Sequence, residues 1–220
     1  MLRNRCAALL AAAIAMISAH ALTAPQPSET SGQWQLDASF GDIHAIRVQL
    51  AGEAAPRTFW YMRYTVANST GQDRVFVPEF ILYTDTGEVL RSGRRTPGAV
   101  FQAIKTLYND PLLQDVSGMT GKLLQGQDNA RCGVAIWPDF GPEVGAFDVF
   151  VSGLSGETAE VALPKPLRVT ETDAMGNPRE VVKDKLILSK TMQRHYQVEG
   201  RSNSGPGSPA KFVSQAWVMR

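Results

Sequence analysis

The sequence predicts a mainly β protein, an antiparallel β-sandwich with one short helix and a C-terminal β extension. Three observations predict it. Short segments of alternating or β-branched residues succeed one another from Trp34 onward; turns containing Gly, Asp or Asn separate them; and a single stretch near position 100 has helical periodicity instead.

The strand segments open with WQLDASF, IHAIRVQL, RTFWYMRYTVA, RVFV, EFILYT and EVLRS, a succession that closes most simply into a sandwich. FGDI at 40–43 and TDTGE at 84–88 place glycine where a tight reversal needs a positive φ, and NSTGQD at 68–73 reads as a longer polar loop. Pro78 cannot donate a ladder hydrogen bond, which puts it at an edge or a bulge. In RTPGAVFQAIKTLYND, Thr96 is placed to cap and Pro97 suits the first helical position. Val100, Ile104 and Leu107 then recur on one stripe before NDP ends the helix.

The strand pattern resumes in GKLLQG, RCGVAIWP, FDVFVSG, ETAEVALP, LRVTET, REVV, DKLILSKTMQRHYQV and KFVSQAWVM. Pro164-Lys165-Pro166 is the best internal boundary, and SNSGPGSP at 202–209 is a loop by composition. The loops between the later strands are short, so residues 33–220 read as one domain with the C-terminal strands packed onto the same sandwich.

Ahead of this domain, Arg3 and Arg5 give a basic start, Cys6 to Ile17 are apolar but short for a bilayer, and Ala19-His20-Ala21 has the small-x-small form of a cleavage site. Residues 1–21 therefore read as a signal peptide, with a retained membrane anchor as the competing reading. Residues 22–32, rich in Pro, Ser and Thr, read as a flexible spacer. Cleavage after Ala21 implies a periplasmic or extracellular protein. It also removes two of the 22 basic residues and leaves the 21 acidic ones, a net charge of −1 that argues against nucleic acid as a partner. Of the two cysteines only Cys132 then remains, so no internal disulfide forms; its place at the head of an apolar run reads as burial.

No stretch carries the parts of a catalyst. GLSGE at 153–157 comes close to a nucleophile elbow, but Glu157 stands where glycine is required and ETAEVALP continues as a strand, so Ser155 belongs to a hairpin turn. Beyond the leader only His44 and His195 remain, too few for a histidine-rich metal site. Cys132 and His195 would act together only if the fold joined them. The acidic stretches lack calcium-loop spacing, and Asp173 to Asn177 reads as a reversal around Gly176. No cofactor is implied.

One strand carries a binding signal. In TFWYMRY, alternation puts Trp60, Met62, Tyr64 and Val66 on a core face and Phe59, Tyr61 and Arg63 on the other. Aromatics flanking an arginine suit a partner surface, so Phe59, Tyr61 and Arg63 are the candidate site, unless the helix from Pro97 to Tyr108 covers them.

YTVANSTGQDRVFVPEFILYTDTGEVL resembles the strand-loop-strand of bacterial exported immunoglobulin-like domains. Together with MTGKLLQGQDNA, GVAIWPDF, FDVFVSGLSGETAEV and DAMGN, the chain from Tyr61 to Lys190 is similar to uncharacterised exported proteins of planctomycete-type bacteria. The resemblance implies an immunoglobulin-like sandwich and carries over no functional residue; the paired cysteines around a core tryptophan are missing. The expectation is an exported, non-catalytic binding or structural module of the cell envelope. Its partner is an unknown envelope protein or glycan, and it makes no stable membrane insertion after cleavage. The competing class is an exported hydrolase using loop carboxylates.

Overall fold

A computed structural model describes residues 25–28, 32–173, 175–198 and 210–220. The signal peptide expected over 1–21 and the loop expected at 202–209 lie outside the described residues. In chain order the elements are β1 (Asp37–Val48), β2 (Arg57–Asn68), β3 (Arg74–Phe76), β4 (Glu79–Thr84), β5 (Val89–Arg91), α1 (Gly98–Tyr108) and α2 (Val116–Met119). They continue as β6 (Gly121–Leu123), β7 (Gly126–Pro138), β8 (Ala146–Ser152), β9 (Thr158–Thr172), β10 (Pro178–Gln197) and β11 (Lys211–Met219). All strand pairs are antiparallel. One sheet has the order β1-β2-β7, the other runs β11-β10-β8-β4-β5 with β9 beside β10, and β3 pairs with β6.

The two larger sheets enclose one core because their strands alternate. Trp60, Met62, Tyr64 and Val66 of β2 and Ala135 and Trp137 of β7 meet Phe80 and Leu82 of β4, Phe147, Val149 and Val151 of β8, and Met192 and Tyr196 of β10. Removing each of these larger side chains from water is worth about 1.5–3 kcal/mol, which makes the antiparallel β-sandwich the stable arrangement. A second cluster lies on the other face of the first sheet. There Phe59, Tyr61, Val134 and Ile136 pack under Val100 and Ile104 of α1, with Val48, Leu50 and Leu113 at the margins.

The helix forms one residue later than its sequence suggests. Pro97 is the N-cap and Thr96 makes no cap bond, whereas Asn109 ends the helix in the left-handed conformation. Leu107 is exposed rather than part of the buried stripe. Val100 and Ile104 are the buried residues of the helix, with Phe101, Ala103 and Tyr108 packed around them. The single turn α2 was not legible in the sequence; Asp115 Oδ1 caps it by accepting from the Gly118 N–H at 2.8 Å.

Several expected turns are different structures. FGDI is no reversal: β1 runs straight through it with a register shift between Phe40 and Ile43. The sequence around Ser155 is not a hairpin either, because β8 and β9 are both antiparallel to β10 and therefore run in the same direction along it. Between them the chain leaves β10 to bond with the Trp34 region, through Leu36 N to Leu154 O at 2.8 Å and Gly156 N to Trp34 O at 3.0 Å. Gly153 makes the departure at φ 88°, where a Cβ would lie 2.4 Å from the Val77 carbonyl oxygen. The turns at 84–88 and 173–177 do form as expected, closed by Thr84 N to Glu88 O and Asp173 N to Asn177 O. Asp173 Oδ1 also accepts from the Met175 and Asn177 N–H groups, and the Asn177 bond leads in holding this carboxyl below its usual range.

Part of the expected spacer is tied down. Ser28 N–H donates to Glu157 Oε1 at 2.7 Å, and the buried Lys190 ammonium donates to Glu157 Oε2 and to the Ser28 carbonyl, each at 3.0 Å. The Ser28 amide, followed by Lys190, holds the Glu157 carboxyl below its ordinary value.

Over residues 178–189, β10 runs outside the sandwich with β9 as a two-stranded ribbon whose faces are largely exposed. Pro164-Lys165-Pro166 does not divide the chain there. It lies inside β9, in a register shift that sets residues 163–166 against Asp184. Cross-strand ion pairs Lys185–Glu160, Lys183–Glu171 and Arg168–Glu180 brace the ribbon. No helix among the described residues is long and apolar enough to cross a membrane.

Candidate functional site

The candidate partner surface on β2 is covered. Phe59 is 0 % and Tyr61 3 % exposed, both beneath α1, so they are core residues rather than a surface offered to a partner. The physical reason is that an apolar outer face on a central strand recruits the one amphipathic helix of the chain. Arg63 fastens the end of that helix: its Nη2 donates to Asp110 Oδ2 at 2.9 Å and its guanidinium lies 4.2 Å from the Tyr108 ring centroid. Tyr61 Oη and Tyr108 Oη are 3.0 Å apart.

Burial pushes the phenol groups of Tyr61, Tyr64 and Tyr196 above their usual range. Their ionisation in the unfolded chain, near pH 10, therefore draws the equilibrium away from the fold. The stability they contribute is fully present below about pH 10 and is lost as pH rises through the higher folded values. An alkaline titration followed by tyrosinate absorbance should show these three groups ionising together with unfolding. Ionisation of all five tyrosines in a still-folded chain would contradict their burial.

The other chemical candidates are held in structural roles. Ser155 Oγ donates to Trp34 O at 3.3 Å and accepts from the Glu157 N–H at 3.1 Å. Cys132 is half-buried rather than buried, with its Sγ 3.6 Å from Thr65 Oγ1. It lies on the helix-covered side of the first sheet, while His195 alternates with the core residue Tyr196 and faces outward on the second; the fold does not join them. Several loop carboxylates bind a backbone amide, an indole or a cation. Asp85 Oδ2 accepts from Gly145 and Ala146 N–H, Asp139 Oδ1 accepts from Trp60 Nε1–H, and Asp73 pairs with Lys122. Among the described residues no group of three His, Cys, Asp or Glu could hold a metal ion.

One constellation escaped the sequence. His195 Nδ1 lies 3.0 Å from Asp148 Oδ1, and Ser214 is the register partner of His195 on β11, so Asp148, His195 and Ser214 stand in a row across three adjacent strands. The row lies on the outward face of a sheet, and no hydrogen bond joins His195 to Ser214.

Among the described residues, a cleft of about 400 Å³ lies where the edge strand β1 approaches β10 and β11. Gln35, Asp37, Ala38, Ser39 and Phe40 form one wall, with Ala38 and Phe40 facing inward; Arg194, Gln215 and Trp217 form the other, and Leu36, Leu154 and Met192 the apolar floor. Arg194 dominates it. The residue is 8 % exposed, its Nε donates to Tyr196 Oη at 2.8 Å, and its Nη1 donates to Gln215 Oε1. The rings of Phe212 and Phe40 flank the guanidinium at 4.4 and 4.8 Å. No carboxylate pairs with it among the described residues. A hollow of about 470 Å³ beside Pro78 is slightly larger, but its Arg91 is already paired with Glu79.

No family model matches the chain, and no curated protein or solved structure matches it either.

Proposed function

We propose that the protein is an exported, non-catalytic binding module of the cell envelope and that it takes its ligand, an envelope protein or glycan, in the cleft between β1 and β11. The observation that carries this reading is the cleft itself. It has an apolar floor, polar walls, two aromatic side chains in Phe40 and Trp217, and a buried cation, the composition of a recognition site. Export rests on Arg3, Arg5, the apolar stretch and Ala19-His20-Ala21. The immunoglobulin-like character of the sandwich rests on the resemblance of the stretch from Tyr61 onward. The near-neutral charge of the mature chain favours a partner other than nucleic acid.

A second reading, a hydrolase, draws on the Asp148–His195 pair and the neighbouring Ser214. It is the weaker one, since a nucleophile needs a base within hydrogen-bond reach and a pocket for substrate, and this row lies outside the cleft. Co-sedimentation with isolated envelope material from the native host separates the readings. Wild-type protein should be retained, and Ala38→Trp, which fills the cleft from the inward, half-buried face of β1, should not be. Equal retention of the variant would remove the cleft from the account, and no retention of wild type would overturn the module reading. A hydrolytic activity abolished by Ser214→Ala would favour the second reading.

A further inference from the structure

We propose that the cleft is selective for a carboxylate, which pairs with Arg194; this rests on the cleft being the binding site. A guanidinium stays charged at all physiological pH values, so burial cannot neutralise it. Charged groups this deeply buried are ordinarily matched by an opposite charge, because the desolvation they suffer is large. Arg194 has instead a tyrosine hydroxyl, a glutamine amide oxygen and flanking aromatic rings, all without formal charge. The rings of Phe40 and Phe212 compensate part of the desolvation through their π-faces. A planar carboxylate matches the guanidinium fork in a way no neutral group does.

The rest of the cleft fits such a ligand. Gln35 and Gln215 can hydrogen-bond the polar body of a sugar or a peptide, and Trp217 and Phe40 supply faces for its apolar side. Asp37 also lines the cleft, but its carboxylate is already engaged by the Ser69 hydroxyl and is not bonded to Arg194. Lys190, beyond Met192 on the inner side of β10, is neutralised by Glu157. Among the described residues, Arg194 is thus the cation at this site that a ligand can still match.

Two sources of a carboxylate are distinguishable by matched pairs of small ligands. Glucuronate is compared with glucose, and an N-acetylated alanine tripeptide acid with its C-terminal amide, each titrated into the purified protein by calorimetry. At least one acid should bind tenfold or more tightly than its neutral counterpart, and the pair that shows the difference identifies the source. Arg194→Gln should abolish that preference. Gln215→Glu, at an exposed strand position, should abolish it as well by supplying an internal carboxylate, and it keeps the test decisive if Arg194→Gln fails to fold. Acids and neutral partners binding equally, or none of the four binding, would overturn carboxylate selectivity; so would a preference that survives both substitutions. Retention on envelope material lost in Ala38→Trp would still stand in those cases, so the two proposals fail separately.

Discussion

Phe59→Ala is expected to destabilise the fold by about 3–5 kcal/mol, as much as Trp60→Ala, although the two side chains point to opposite faces of β2. Each substitution empties a packed site: Trp60 lies in the core between the sheets and Phe59, 0 % exposed, in the cluster beneath α1. Either loss is a large fraction of the roughly 5–15 kcal/mol that holds a typical domain folded. Urea unfolding measures both. Were the Phe59 face a free partner surface, its truncation would cost only about 0.5 kcal/mol, and that result would mean that α1 does not cover β2 in solution.

Gly133→Ala is expected to cost about 1–3 kcal/mol, at the upper end of that range, by overpacking. A Cβ at this position of β7 would lie 2.5 Å from Tyr64 Cζ, 2.7 Å from Tyr64 Oη and 2.7 Å from Met119 Cγ. Methionine can move aside, but the Tyr64 ring is buried against Phe80, with centroids 4.5 Å apart. Adding Tyr64→Phe removes one of the three contacts and should return part of the loss, which a double-mutant cycle in urea would register. An unchanged midpoint for Gly133→Ala would show that the packing of β7 on Tyr64 is looser than described.

The strands were legible because each carries its own alternation, and the reversals at 84–88 and 173–177 because glycine and aspartate determine them locally. The FGDI and GLSGE stretches misled for a shared reason. A bulge and an excursion from a ladder use the same glycine chemistry as a hairpin, and only the register of a distant partner tells them apart. The cover over Phe59 and Tyr61 was partly readable: a strand apolar on both faces has to be buried on both. The cleft was not, because Gln35 to Phe40, Leu154, Met192, Arg194 and Gln215 to Trp217 come from separate parts of the chain. One trace of it lies in KTMQRHYQ, where Arg194 occupies the same phase as the inward residues Met192 and Tyr196, so a charge stands in a core position.

Amide hydrogen exchange separates recognition in the cleft from recognition on the exposed ribbon of β9 and β10. Exchange is followed in the purified protein with and without an enzymatic digest of the native envelope. The account predicts slowed exchange at Gln35 to Phe40 and Gln215 to Trp217, the edge strands that flank Arg194, with the ribbon unchanged. Protection confined to Thr158–Thr172 and residues 178–189, with none at the cleft, would contradict it.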